Sequence, residues 1–249
     1  MVRRGEKVRR GGELMYLSDL EIESIARHVF DAYRELPEIT DPHRMLRVDP
    51  LLLCRGVLFL KFRFERLSDD GSLLGLTAYE PCFTRVYDDA GSPMLFALDG
   101  STLLIDKELN TRRASRGRRN FTVMHEAAHL LLNRLYPGRY NAGGSRMPAY
   151  RGAPSSPDHS PEEYQADRLA AAMLMPETLV RRNMFLAGLP PVIDILDRVV
   201  RPDAYRRFLE VAAMMECSAS ALALRMQRLG LVEVNDCGAP LRCLDAEVM

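Results

Sequence analysis

The stretch FTVMHEAAHLLLNRLY at residues 121–136 most constrains the fold and the chemistry of this chain. Apolar residues fall on almost every side of a helix with this sequence, so the pattern predicts a helix inside the protein. His125 and His129 stand four residues apart, which places both imidazoles on one helix face, one turn apart, as two zinc ligands need. Glu126 lies beside that face, where it could take a proton from a water that the metal activates. The alternative is a pair of core histidines satisfied by hydrogen bonds alone.

A third protein ligand is expected, because catalytic zinc sites use three and leave a fourth position for water or substrate. A second helix is predicted at about 162–174, and its alanines would let it pack closely against the first. Glu163 and Asp167 are one turn apart on this helix and can both face the first one. Glu163 is therefore the predicted third ligand, and Asp167 is the predicted acceptor for the outer N–H of His125 or His129.

The two segments FTVMHEAAHLLL and EYQADRLAAAMLMP (163–176) together resemble the ImmA/IrrE metallopeptidases, and the resemblance extends over roughly 50–230. Ala128 stands where that family usually has Gly, and Leu169 where it usually has Phe, but neither change removes a ligand. The family's functional residues map onto the zinc ligands His125, His129 and Glu163, the base Glu126 and the outer partner Asp167. The resemblance implies a zinc endopeptidase with one zinc ion per chain. It also implies cleavage of a helix-turn-helix repressor, which switches on stress-response or mobile-element genes.

A peptidase of this kind needs one further hydrogen-bond donor for the oxygen of the reacting carbonyl. Residues 137–161 are rich in Pro, Gly and Ser and form the longest predicted loop. Three side chains in or near this loop are candidates for the donor, and the sequence does not rank them: His159, Tyr140 and Tyr150. A strand edge beside the active helix could hold an extended substrate by main-chain hydrogen bonds.

The rest of the sequence indicates an α+β fold. Helical spacing predicts a helix at about 18–35, while short apolar or alternating runs across 50–105 predict strands. Aspartate–glycine turns between these runs suggest hairpins, hence a small, partly antiparallel sheet packed on helices, with the zinc site between two buried helices. Residues 111–120 are predicted to be a basic connector. The predicted divisions are a basic flexible tail (1–17), a metallopeptidase core (18–176), a helical C-terminal subdomain (177–230) and a second tail (231–249).

Composition argues against several other classes of protein. Lys plus Arg and Asp plus Glu both number 34, so net charge gives no reason to expect attraction to nucleic acid or to a membrane surface. The five cysteines are scattered without a CxxC pair, which favours reduced thiols in the cytoplasm over disulfides or a Cys-rich zinc site. We expect neither a secretory signal nor a membrane span, because no apolar run is long enough for either.

Two other functions stay open at this point. One is a non-catalytic, zinc-containing regulator that binds a repressor or DNA, although a structural site has no need of the base Glu126. The other is a zinc hydrolase that acts on a non-protein amide. The arginine run at 112–119 and the last helix pair could contact DNA, but a solvated loop and a helical cap are the favoured interpretations. The final helix bears few basic side chains beyond Arg225 and Arg228.

Overall fold

The computed structural model describes residues 17–111, 115–137 and 161–233, together with the backbone of residues 149–150. The helices are α1 (Asp19–Arg34), α2 (Pro50–Gly56), α3 (Arg116–Leu135), α4 (Pro161–Leu174), α5 (Glu177–Leu186), α6 (Pro202–Met214) and α7 (Ala219–Arg228). The strands are β1 (Lys61–Glu65), β2 (Gly75–Leu76), β3 (Pro81–Tyr87), β4 (Pro93–Asp99), β5 (Thr102–Asp106) and β6 (Ala149–Tyr150). A 3-10 helix over Lys107–Asn110 follows β5. The predicted α+β class is confirmed.

The strands form a mixed four-stranded sheet and a separate two-stranded ribbon. In the sheet, β5 pairs in parallel with β1, and β2 runs antiparallel to both of its neighbours, β5 and β6. The ribbon is the antiparallel hairpin of β3 and β4. Its turn was predicted from Asp88-Asp89-Ala90-Gly91, where the Asp88 carboxylate accepts the N–H of Ser92 and Gly91 has a φ of 82°.

The other two aspartate–glycine turns do not form the hairpins that the sequence suggested. Asp69-Asp70-Gly71 joins β1 to β2, but β5 lies between these two strands in the sheet. Asp99-Gly100 joins β4 to β5, which belong to different sheets. A turn motif fixes only a local change of direction, so the pairing partners depend on which apolar faces meet in the core.

Two segments predicted as strand or loop are helical. Pro50–Gly56 forms α2, because the Asp49 carboxylate accepts the N–H groups of Leu51 and Leu52 and so caps the helix. Helix α3 begins at Arg116, inside the predicted connector, because Ser115 caps its first turn.

Helix α3 lies at the centre of the main hydrophobic core, to which all the helices named above contribute. That core includes residues on both sides of the boundary predicted at 176/177, and the division into core and subdomain stays a prediction. A second, smaller cluster fills the space between the sheet and the ribbon, and its members are Leu67, Leu76, Ala78, Val86, Leu98 and Leu104. Within the described residues, no helix has both the length and the apolar character that a bilayer span requires.

The C-terminal helix pair packs on the core and buries Arg225, one of the two basic side chains of its second helix. Arg225 on α7 is only 3 % exposed, and its guanidinium forms a two-point ion pair with Glu23 of α1. The Arg225 Nε atom also donates to the carbonyl oxygen of Met175 at 2.9 Å. The turn before α7 contacts the start of α3, where Arg116 pairs with Glu216 at 2.7 Å. These contacts favour the helical cap over the DNA-binding interpretation.

Candidate metal centre

The candidate site lies between α3 and α4, the two helices that the sequence predicted would enclose it. His125, Glu126 and His129 on α3 are 1 %, 0 % and 1 % exposed, so their polar atoms need partners within the protein. The face of α4 that meets them is lined by fully buried alanines, including Ala166 and Ala170, and these small side chains allow the close approach. Glu163 on α4 is partly exposed, with 28 % of its side-chain surface accessible.

Three ligand-type atoms converge at this contact. The Nε2 atoms of His125 and His129 are 3.0 Å apart. The carboxylate of Glu163 places one oxygen 3.1 Å from Nε2 of His125 and the other 3.3 Å from Nε2 of His129. Among the described residues, these three form the one group of His, Cys, Asp or Glu side chains that could hold a metal ion.

The spacing of these atoms fits a tetrahedral metal. Zinc bonds of about 2.0–2.1 Å to nitrogen and oxygen separate neighbouring ligand atoms by about 3.3 Å in tetrahedral geometry. The observed separations of 3.0–3.3 Å lie close to that value. Two imidazoles and one carboxylate also match the donor set of catalytic zinc sites, which leave one position for water or substrate. The residues present therefore fit a catalytic metal ion.

Each imidazole has a second partner on its outer nitrogen. The Nδ1 atom of His125 lies 2.8 Å from the Asp167 carboxylate, so Asp167 meets His125 and not His129. The Nδ1 atom of His129 lies 3.4 Å from the hydroxyl of Tyr79, a residue between β2 and β3 that was not predicted to belong to the site. With both outer nitrogens engaged, the inner Nε2 atoms of both rings point toward Glu163.

The electrostatics of the cluster favour the protonated, positively charged form of the His125 imidazole. Burial alone would lower the pKa of its imidazole, but hydrogen bonds to Asp167 and Glu163 outweigh burial and raise this pKa to about 9. Burial dominates at His129, whose pKa is lowered even though Glu163 hydrogen-bonds to it. Burial acts to raise the pKa of Glu163, but hydrogen bonds from both histidines hold it well below its usual value. A cation is therefore favoured between the three groups, either as a proton or as a metal ion.

Glu126 points toward the sheet, and a glycine provides the space for it. A Cβ atom added to Gly75 of β2 would lie 2.6 Å from Oε1 and 2.8 Å from Cγ of Glu126. The same atom would lie 2.9 Å from Cγ2 of Thr122, which sits one turn earlier on α3. Strand β2 can therefore pass this close to the carboxylate only with glycine at position 75.

The three candidate donors in the long loop are not placed by the described structure. Tyr140 and His159 lie outside the described residues, and for Tyr150 only the backbone in β6 is described. Tyr79 and Gly75 were missed in the sequence because each looks like an ordinary strand or turn residue. In LLGLTAYE (73–80) they are four positions apart, and this even spacing is the signal that could place both on one face of a strand-like segment.

Comparison with known proteins agrees with this geometry. Residues 108–187 match the Peptidase_M78 family model, described as the IrrE N-terminal-like domain. The matched segment contains α3, α4 and α5, and with them the metal cluster. No curated protein matches the chain. The predicted resemblance to the ImmA/IrrE metallopeptidases is thus confirmed by the match over residues 108–187, the segment that contains the candidate metal site.

Proposed function

We propose that this protein is a zinc-dependent endopeptidase in which His125, His129 and Glu163 hold one zinc ion and Glu126 is the catalytic base. The observation that carries the proposal is the convergence of three ligand-type atoms at tetrahedral spacing, with a fully buried carboxylate next to them in the chain. A structural zinc site would have no need of that carboxylate.

The proposed reaction is hydrolysis of a peptide bond by water. Bound zinc supplies a Lewis acid that lowers the pKa of water toward neutrality. The Glu126 carboxylate accepts a proton as water attacks the carbonyl carbon, and it returns the proton to the departing amine nitrogen. Its burial keeps bulk water away from this transfer. Asp167 fixes the ring of His125 by accepting the Nδ1 proton. The donor to the carbonyl oxygen is proposed to come from Tyr140, Tyr150 or His159.

The proposed substrate is a helix-turn-helix repressor in the cytoplasm, whose removal derepresses stress-response or mobile-element genes. This part of the proposal is supported by the resemblance to ImmA/IrrE proteins, several of which cleave such repressors. A cytoplasmic site of action is also consistent with free thiols at the described cysteines Cys54, Cys82 and Cys217.

The test compares the metal content and the proteolysis of wild type and three variants. The substrate is the helix-turn-helix repressor encoded next to this gene, or a casein digest if no such neighbour exists. Glu126→Gln should retain about one zinc per chain and lose turnover by at least about a hundredfold, because the amide cannot accept the proton. Glu163→Gln should weaken zinc binding. Glu177→Gln, a half-exposed carboxylate on α5, serves as the matched control and should change neither property.

The outcomes separate the open alternatives. Binding of the repressor without cleavage, by a wild type loaded with zinc, would favour the non-catalytic regulator. Hydrolysis of small amides without proteolysis would favour a different zinc hydrolase. Wild-type turnover in Glu126→Gln would disprove the role assigned to that residue, and absence of zinc from wild type would overturn the whole proposal.

A further inference from the structure

Residues 75–79, which comprise β2 and the three residues after it, form one wall of the candidate metal site because alternate positions face opposite sides. Leu76 and Ala78 point into the small cluster between the sheet and the ribbon. The intervening positions point the other way, since Gly75 contacts Glu126 and Tyr79 packs against the main core that contains α3. This alternation places Gly75 beside Glu126 and Tyr79 beside His129, which lies about one turn further along α3.

The geometry at His129 assigns a distinct role to each ring nitrogen. Nε2 faces the ligand cluster, 3.3 Å from Glu163 and 3.0 Å from the other imidazole. Nδ1 lies on the opposite side of the ring, 3.4 Å from the hydroxyl of Tyr79. If Nε2 gives its lone pair to a metal, the ring proton must sit on Nδ1. That N–H then donates to the hydroxyl oxygen of Tyr79.

We propose that Tyr79 is a positioning residue that orients His129 for metal binding by accepting its Nδ1 proton, as Asp167 does for His125. This inference rests on the metal site of the proposed function. The two histidine ligands differ in their outer partners, because His125 is hydrogen-bonded to the carboxylate of Asp167 and His129 to the neutral phenol of Tyr79. A neutral second partner holds the tautomer without adding a further negative charge beside Glu163 and the metal.

The first test measures metal affinity in the full chain by competition with a chelator, for Zn²⁺ and for Co²⁺. Tyr79→Phe keeps the ring and removes only the hydroxyl, and we expect it to bind both ions about tenfold more weakly. Tyr33→Phe is the matched control. Tyr33 is 2 % exposed, and its hydroxyl accepts the N–H of Asp49 at 3.0 Å, so the variant loses a buried tyrosine hydrogen bond on α1. It should bind metal as wild type does.

The second test observes the two imidazoles separately. A general packing defect would affect both of them, whereas loss of the Tyr79 hydroxyl should affect only His129. In the Co²⁺-loaded protein, each ligand histidine gives an exchangeable N–H proton resonance. Tyr79→Phe should shift the signal of His129 and speed its exchange with water, while the signal of His125 stays in place. Asp167→Asn should have the reverse effect. Wild-type affinity together with two unchanged signals in Tyr79→Phe would overturn the inference. Failure of wild type to bind Co²⁺ or Zn²⁺ would instead overturn the proposed function.

Discussion

At the scale of single residues, the position of Glu126 depends on the missing side chain of Gly75. In Gly75→Ala, the new Cβ would lie 2.6 Å from Oε1 of Glu126, so the carboxylate must move. A displacement of about 1 Å at a catalytic group can cost about a hundredfold in rate. We therefore expect kcat to fall by about a hundredfold while the zinc content stays at the wild-type level, measured by steady-state proteolysis and by metal analysis.

The matched control for this variant is Gly56→Ala on α2. The three atoms nearest its added Cβ all belong to the side chain of Leu36, the closest at 2.8 Å, so the steric load is similar but lies away from Glu126. It should leave kcat unchanged even if the free energy of unfolding falls. Equal activity in both variants would contradict the idea that Gly75 makes room for Glu126, the proposed base.

At the scale of secondary-structure elements, one buried ion pair holds α7 against α1. Arg225→Ala would leave Glu23 without its partner and the Met175 carbonyl without its donor. Removing one member of a buried pair costs about 3–5 kcal/mol, and we discount this to about 2–4 kcal/mol because the Glu23 side chain is 30 % exposed. The free energy of unfolding, measured by urea titration, should fall by that amount.

Two further variants show whether burial is the cause. Arg206→Ala on α6 breaks a pair with Asp203 in which both side chains are largely exposed, and its cost should stay below about 0.5 kcal/mol. The double variant Arg225→Met, Glu23→Leu removes both charges and should recover part of the lost stability. If Arg225→Ala lowered the free energy of unfolding as little as Arg206→Ala does, the pair of Arg225 with Glu23 would not stabilise the packing of α7 on α1.

Features of the fold that depend on local sequence patterns could be predicted, and features that depend on long-range contacts could not. Helix α3 and its two histidines could be predicted because a 3.6-residue period and an i, i+4 spacing are local properties. Periodicity does not distinguish a strand from a helix in the short apolar run at 51–60, whereas the cap signal Asp49-Pro50 does favour helix α2. The contact of Tyr79 with His129 joins residues 50 positions apart, and no local pattern encodes it. The choice of His125 over His129 as the partner of Asp167 depends likewise on how α3 and α4 cross.

At the scale of the whole molecule, the fold should not depend on the metal as a zinc finger does. All the described helices bury apolar side chains in one core, and the metal-site side chains have hydrogen bonds to one another. We expect the chelated protein to keep its far-ultraviolet circular dichroism at 20 °C. Its Tm should nevertheless fall by about 5–15 °C, because metal bound at 100 to 1,000 times its Kd adds about 3–4 kcal/mol. Loss of helical signal on chelation would show that the metal is needed for folding.

The size of that metal-dependent shift should also change with pH, in a direction set by His125. In the metal-free protein, the pKa of this imidazole is raised from 6.5 to about 9 by its carboxylate partners, against the effect of burial. A raised pKa in the folded state contributes stability that is fully present below pH 6.5 and is lost as the pH rises through about 9. The metal binds only the neutral imidazole, so the zinc-loaded protein does not have this stabilisation at low pH. The difference in Tm between zinc-loaded and chelated protein should therefore widen from pH 6.5 to pH 9. Asp167→Asn should flatten this dependence, because it removes a carboxylate that holds the proton, whereas a difference that narrows with pH in wild type would contradict the assignment.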